Sequence, residues 1–265
     1  MIRDITLGQY YSADSLIHRL DARIKIIAAV LFIVELFIVK NYYGFILMGL
    51  VLFTVIAISK VPLSFILRGL KPIFIILMFT FALNLFMVPG TVIWTWWKLK
   101  ITKEGLHTAV FMAVRLILLI MGSSMLTLTT KPISLTDGIE KLFSLFRKIL
   151  PVHEIAMMMS IALRFIPTLL EETDKIMKAQ QARGADFESG NLIKRVKALI
   201  PILVPLFVSA FRIAQDLALA MEARAYHGGE GRTRMHEMKF VKRDYIALLL
   251  MVLILIGLIA INIYL

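Results

Sequence analysis

No cysteine occurs among the 265 residues, which excludes a disulfide framework, a thiolate metal site and a thiol nucleophile. Charge is scarce too: 18% of residues are Asp, Glu, Lys or Arg against 59% hydrophobic, and mean hydropathy is +0.83. That is far more apolar side chain than a soluble domain of this length needs, so the chain reads as an integral membrane protein. Acids are the scarcer sign, 18 against 30 bases, for a net charge of +12. The phosphate-loop pattern Gly-x-x-x-x-Gly-Lys-(Ser/Thr) is absent. The nearest glycine cluster, His227-Gly228-Gly229-Glu230-Gly231-Arg232, lacks the lysine and the hydroxyl and reads as a flexible exit from a helix. Two His-Glu pairs, at 153–154 and 236–237, begin a zinc-helix motif, but position i+4 holds Met157 in one and Phe240 in the other, so neither has its second ligand. Paired aspartates and a Gly-x-Ser-x-Gly elbow are missing as well. No catalytic, cofactor-binding or metal-binding residue is expected, and the chain reads as a non-enzyme. The start, Met1-Ile2-Arg3-Asp4, has no apolar stretch or small-residue cleavage site, so no cleaved signal peptide is expected.

What is present is a series of apolar runs. Measured against the roughly 20 residues that cross a bilayer, they predict five membrane helices: Ile24 to Val39, Tyr42 to Ser59, Leu70 to Val88, Gly105 to Thr129 and Tyr245 to Leu265. The first contains Glu35, about one turn from Lys40, a position from which its carboxylate reaches the membrane interface. A proton or ion site is the alternative for that residue. Arg115 lies ten residues into the fourth run, where a paired or a snorkelling side chain is expected.

Basic residues set the orientation. With the N-terminus inside, residues 1–23, 60–69 and 130–244 face the cytoplasm and hold 23 of the 30 Lys and Arg, which favours that topology. Lys98, Lys100 and Lys103 fall outside, beside Trp94, Trp96 and Trp97, which read as an interfacial aromatic belt. The net charge then follows from positive-inside bias and attraction to anionic lipid, with no call for nucleic acid.

Residues 131–243 are harder to place. The apolar stretches Met157 to Leu170 and Ala198 to Phe211 are short, interrupted by Arg164 or bounded by Arg212, and associated with Pro167, Pro201 and Pro205. Ile155, Met158, Ala162, Ile166, Leu169 and Ile176 keep helical spacing, as do Leu199, Leu203, Leu206, Ala210, Ile213 and Leu217. Two long amphipathic helices at the membrane surface are expected; two further spans are the other reading. A shorter helix is expected from Ser134 to Ile149, capped by Ser134 or Thr136 and stopped by Pro151. Met157-Met158-Met159 is either an adaptable contact surface or core. The organisation expected is all-α: a membrane domain of four spans over 1–130, a cytoplasmic domain of long amphipathic helices over 131–243, and a last span over 244–265.

Each long helix ends in the same way. Ala182-Arg183-Gly184 and Ala223-Arg224-Ala225 share the frame Ala-Arg-(small), with the arginines 41 positions apart. An arginine closing a helix sits at the negative end of the helix dipole, where its charge is stabilised and displayed outward. Two such tips suit docking into two similar acidic partners.

These residues, with Ser15-Leu16-Ile17-His18-Arg19-Leu20-Asp21-Ala22-Arg23-Ile24-Lys25 near the N-terminus, make the chain similar to the transmembrane T component of energy-coupling factor transporters, the family that includes the CbiQ protein of cobalt uptake. Similarity covers nearly the whole chain. Ala-Arg-Gly occurs twice in that family; the second copy here ends in Ala225, and the N-terminal segment has Ala22 where proline is common. The resemblance implies a prokaryotic cell-membrane protein that hydrolyses nothing itself. Ala182, Arg183, Gly184, Ala223, Arg224 and Ala225 then dock two homologous ATP-binding subunits, and the paired helices pass their motion to a separate substrate-binding membrane subunit for vitamin or metal-ion uptake. The rival class, a secondary transporter or channel subunit without ATPase partners, is disfavoured by the lack of inverted repeats and of polar, broken spans.

Overall fold

The computed structural model describes residues 10–96, 99–146, 149, 151–185, 187, 192–228 and 238–264. The expectations for Trp97, Lys98, His236, Glu237 and most of the glycine cluster lie outside them. Nine α-helices and one hairpin follow in order: α1 Ala22–Ile38, α2 Tyr42–Ser59, α3 Leu63–Leu70, α4 Phe74–Met87, β1 Val92–Trp96, β2 Leu99–Thr102, α5 Lys103–Thr129, α6 Pro132–Phe143, α7 Val152–Ala182, α8 Leu192–Ala223 and α9 Lys242–Tyr264. Among the described residues the fold is thus all-α apart from a two-stranded antiparallel hairpin. Among the described residues, six helical stretches are long and apolar enough to cross a membrane: Tyr42–Ser59, Leu63–Met87, Lys103–Thr129, Val152–Ala182, Leu199–Ala223 and Lys242–Tyr264. By length and composition α7 and α8 therefore qualify as well. At 17 residues, α1 is about 25 Å long, short of the roughly 30 Å hydrocarbon layer.

The chain divides into two compact units, one of residues 10–139 with 238–264, the other of residues 140–228, with the boundary inside α6. The core of the first lies among α1, α2, α5 and α9. Phe32, Leu36 and Val39 meet Met48, Leu52 and Ile56, with Leu118 and Met125 from α5 and Leu258 from α9. These positions recur every three, four or seven residues, so each helix turns one stripe inward. Gly122 of α5 lies so close to the Phe32 ring that an added Cβ would collide with it. Between helices in lipid there is little hydrophobic drive, and such close approach supplies the attraction. No residue of α4 is buried, and Phe74, Ile75, Ile76 and Phe79 are all exposed, as suits a helix against acyl chains.

Local chemistry sets the ends. Asp21 caps α1 by accepting the N–H of Arg23 at 2.9 Å. Thr102 caps α5: its hydroxyl accepts from Gly105 N–H at 3.0 Å and donates to Val88 O at 2.8 Å, joining the hairpin to α4. The hairpin pairs Val92 with Thr102 and Trp96 with Leu99, and Glu104 accepts the Thr91 N–H at 2.7 Å. The expected outer loop is therefore partly ordered by backbone pairing. The span expected from Leu70 begins earlier, at Leu63, because Lys71 and Pro72 sit in a 3-10 turn (Lys71–Ile73) that carries α3 into α4. Helix α6 begins at Pro132, so neither Ser134 nor Thr136 caps it; the Thr136 hydroxyl bonds back to Pro132 O.

Of the two charges expected within the membrane helices, Glu35 departs from expectation and Arg115 takes one of its two expected forms. Glu35 is fully buried, so it does not reach the interface, and neither carboxylate oxygen has a hydrogen-bond partner among the described residues. Arg115 donates from Nη2 to Val39 O at 2.8 Å and lies 5.1 Å from the Phe111 ring, with Phe37 and Phe45 within 6 Å. It is paired, through a carbonyl and three rings, and ties α5 to the end of α1.

Candidate functional site: two arginine-capped helix tips

Helices α7 and α8 pack against one another in the second unit. Each has more than 30 residues, 31 and 32, or roughly 47 Å of length. Apolar side chains remain outside within this unit: Met158 and Met159 on α7 and Leu203, Val204, Phe207, Val208 and Phe211 on α8 are exposed. Of the methionine run, Met158 and Met159 are exposed and Met157 is partly buried. His153 pairs with Glu140, Nδ1 to Oε1 at 3.1 Å, which gives this histidine a structural role without a second imidazole one turn on.

The tips close identically. At the first, Arg183 occupies the C-cap with φ −88°, Gly184 follows with φ +90°, Gly184 N–H donates to Gln181 O at 2.9 Å, and Ala185 N–H donates to Gln180 O at 3.0 Å. At the second, Ala225 follows Arg224 with φ +53°, Ala225 N–H donates to Glu222 O at 2.9 Å, and Tyr226 N–H to Met221 O at 3.1 Å. Both are Schellman closures, in which the left-handed residue lets the chain turn back and satisfy the last carbonyls. Ala225 takes the left-handed conformation and carries the strain that a Cβ brings there. The Ala-Arg-(small) frame is the record of this geometry, with arginine at the C-cap and the small residue at the reversal.

Ala182, Arg183, Gly184, Ala223, Arg224 and Ala225 are all exposed. Neither guanidinium has an ion-pair partner among the described residues. The structure brings the six residues to two separate points. Gln180, in the last turn of α7, donates from Nε2 to Pro201 O near the start of α8 at 3.3 Å. The α8 tip lies about 22 residues farther along, roughly 33 Å at 1.5 Å per residue. Two equivalent cations are thus presented too far apart for one small ligand.

Comparison with known proteins decides the family. The profile of the CbiQ family, described as "Cobalt transport protein", matches residues 13–236, both tips included. The chain belongs to this family. Relatives in it are energy-coupling factor transporter transmembrane proteins. That of Clostridium kluyveri is 59% identical over 252 residues, 93% of each chain. That of Ruminiclostridium cellulolyticum is 56% identical over 247 residues, 92% of each. That of Bacillus subtilis is 49% identical over 246 residues, covering 92% of this chain and 93% of the relative. With its apolar helices, the chain is a multi-pass membrane protein and a transmembrane component of energy-coupling factor transporters.

Proposed function

We propose that the chain is the coupling subunit of an ATP-driven importer, with Arg183 and Arg224 each seated in a groove of one of two homologous ATP-binding subunits. The observation that carries this reading is the duplicated tip: one closure, one exposed C-cap arginine, built twice some 30 Å apart on two packed helices. A helix pair is stiff along its length, so a push at either tip is delivered to the exposed apolar flanks of α7 and α8. There we place a substrate-binding membrane subunit that takes up a vitamin or a metal ion. In this reading residues 131–243 lie on the cytoplasmic side of a prokaryotic cell membrane, with α7 and α8 along its surface and the N-terminus inside. The polar last turns of α7, with Glu171, Glu172, Asp174, Lys175 and Lys178, suit that placement better than a bilayer interior. ATP is hydrolysed by the partners and not by this chain.

The test is substitution of the arginines in the assembled complex. A charge-assisted hydrogen bond contributes about 1.5 to 3 kcal/mol, so Arg183→Ala or Arg224→Ala weakens retention of ATP-binding subunits about tenfold or more, and the double variant loses them. Arg→Lys restores retention in part, because a point charge does not reproduce the planar fork. Full retention and uptake in the double alanine variant would refute the proposal.

A further inference from the structure

At the end of the first unit where α1 begins, α5 ends and α9 begins, the segment from Tyr10 to Leu20 folds over a cleft of about 570 Å³. The segment is tied down by backbone acceptors. Tyr11 N–H donates to Leu128 O at 2.9 Å, and His18 Nε2 donates to Tyr11 O at 3.0 Å while its Nδ1 accepts from the Ser15 hydroxyl at 2.7 Å. These contacts hold the wall in place without using the cleft's charges.

The carboxylates lining the cleft are all committed. Asp14 receives the Arg19 guanidinium, Nε to Oδ1 at 2.7 Å. Asp21 receives Arg23 at 2.7 Å. Asp244, 3% exposed, accepts the backbone N–H of Asp21 at 3.0 Å and of Val241 at 2.8 Å. The rim cations are not matched in this way, whereas the buried Lys25 ammonium is attracted by Asp21 and Asp244. Lys25, 8% exposed, donates to His18 O at 3.0 Å and Thr129 O at 2.8 Å, which leaves one of its three N–H groups over. Lys131 and Lys239 are exposed on the rim with no carboxylate partner among the described residues, Lys131 lying 5.8 Å from the Tyr10 ring. Thr130 lines the same cleft at 4% exposure, and its hydroxyl has no hydrogen-bond partner among the described residues. A buried hydroxyl without a partner is costly. Unmatched cations around such a group make an arrangement that an oxyanion completes.

We propose that this cleft binds a phosphate-bearing anion, held by Lys131 and Lys239 at the rim with the spare proton of Lys25 and the Thr130 hydroxyl beneath. The volume lies within the range of small-ligand sites. Two helices long enough to span a membrane, α5 and α9, have an end here, so the phosphate of an anionic lipid headgroup and that of a soluble phosphate compound present the same chemistry to it.

The experiment uses the full-length chain, stripped of lipid in detergent. It is titrated with phosphatidylglycerol, read by native mass spectrometry, and with inorganic phosphate at constant ionic strength, read by thermal shift. Lys131→Ala with Lys239→Ala weakens binding by on the order of tenfold, from two cations each contributing a few-fold near a membrane surface. The double Arg variant binds like wild type, and a control pair, Lys103→Ala with Lys178→Ala, does not change it. Lipid binding that phosphate does not displace assigns the headgroup. Displacement by phosphate, or phosphate binding alone, assigns a site open to soluble compounds. The proposal is overturned if wild type binds neither probe at millimolar concentration, or if the control pair loses as much as the cleft pair.

Discussion

Replacing Ala225 by glycine should stabilise the second tip, and replacing Gly184 by alanine should destabilise the first. Ala225 sits at φ +53°, inside the left-handed region where a Cβ costs about 1 to 2 kcal/mol. Its side chain is exposed, so removing the methyl forfeits little packing. Part of the gain is offset by the greater freedom of glycine in the opened tip, leaving about 1 kcal/mol, or roughly fivefold in the opening equilibrium. Gly184, at φ +90°, lies beyond the left-handed well, and no atom falls within 4 Å of a Cβ built there. The penalty of Gly184→Ala is therefore backbone strain alone, about 1 to 2 kcal/mol. Amide exchange reads both directly, because the closing donors are Ala225, Tyr226, Gly184 and Ala185. With the chain in nanodiscs, Ala225→Gly should slow exchange of the peptide covering 224–226 about fivefold. Gly184→Ala should speed that covering 183–185 by fivefold or more. Unchanged exchange in both, or faster exchange in Ala225→Gly, would refute the matching closures.

A pH effect and a topology follow from the same structure. Burial pushes the His18 imidazole below its ordinary value of 6.5, and its Nε2 donates to a carbonyl while Nδ1 accepts from Ser15, which is the neutral tautomer. The unfolded chain therefore binds a proton that the folded one does not, and stability falls as pH drops below about 6.5, by at most about 1.4 kcal/mol per unit. Thermal midpoints from pH 7.5 to 5.5 should show this fall, and His18→Gln should flatten it; an equal fall in the variant would assign the effect to another group. Single cysteines at Lys178 and His227 should resist an impermeant thiol reagent outside intact cells, whereas one at Thr91 should react. Labelling at 178 or 227 would place that part of the chain outside.

Run length made most of the membrane helices legible, because bilayer thickness imposes a minimum that few other constraints imitate. The boundaries at α2 and the end of α5 agree for that reason. The hairpin at 92–102 was not legible: Trp94, Trp96 and Lys100 carry both a belt-like composition and a strand alternation, and pairing with Thr102 decides between them. The tip motif was legible as a repeat. Its closure was not, since the φ of Ala225 depends on where Glu222 O and Met221 O need donors. Glu35 was misplaced because sequence distance to Lys40 says nothing about which face of α1 is covered by neighbouring helices. The cleft at Lys25 was invisible for a related reason: its partners, His18 O and Thr129 O, are main-chain atoms, and any side chains at those positions would supply them.

The central claim is that each arginine tip contacts its own ATP-binding subunit, and site-specific crosslinking tests it most directly. A photoreactive residue placed at Gln181 or at Glu222, both exposed beside the arginines, is activated in native membranes and the products are sequenced. Each position should capture a polypeptide that carries the Gly-x-x-x-x-Gly-Lys-(Ser/Thr) loop missing here, and the pair of captured subunits should be homologous. Capture of no such polypeptide at either position, in membranes where uptake is active, would contradict it.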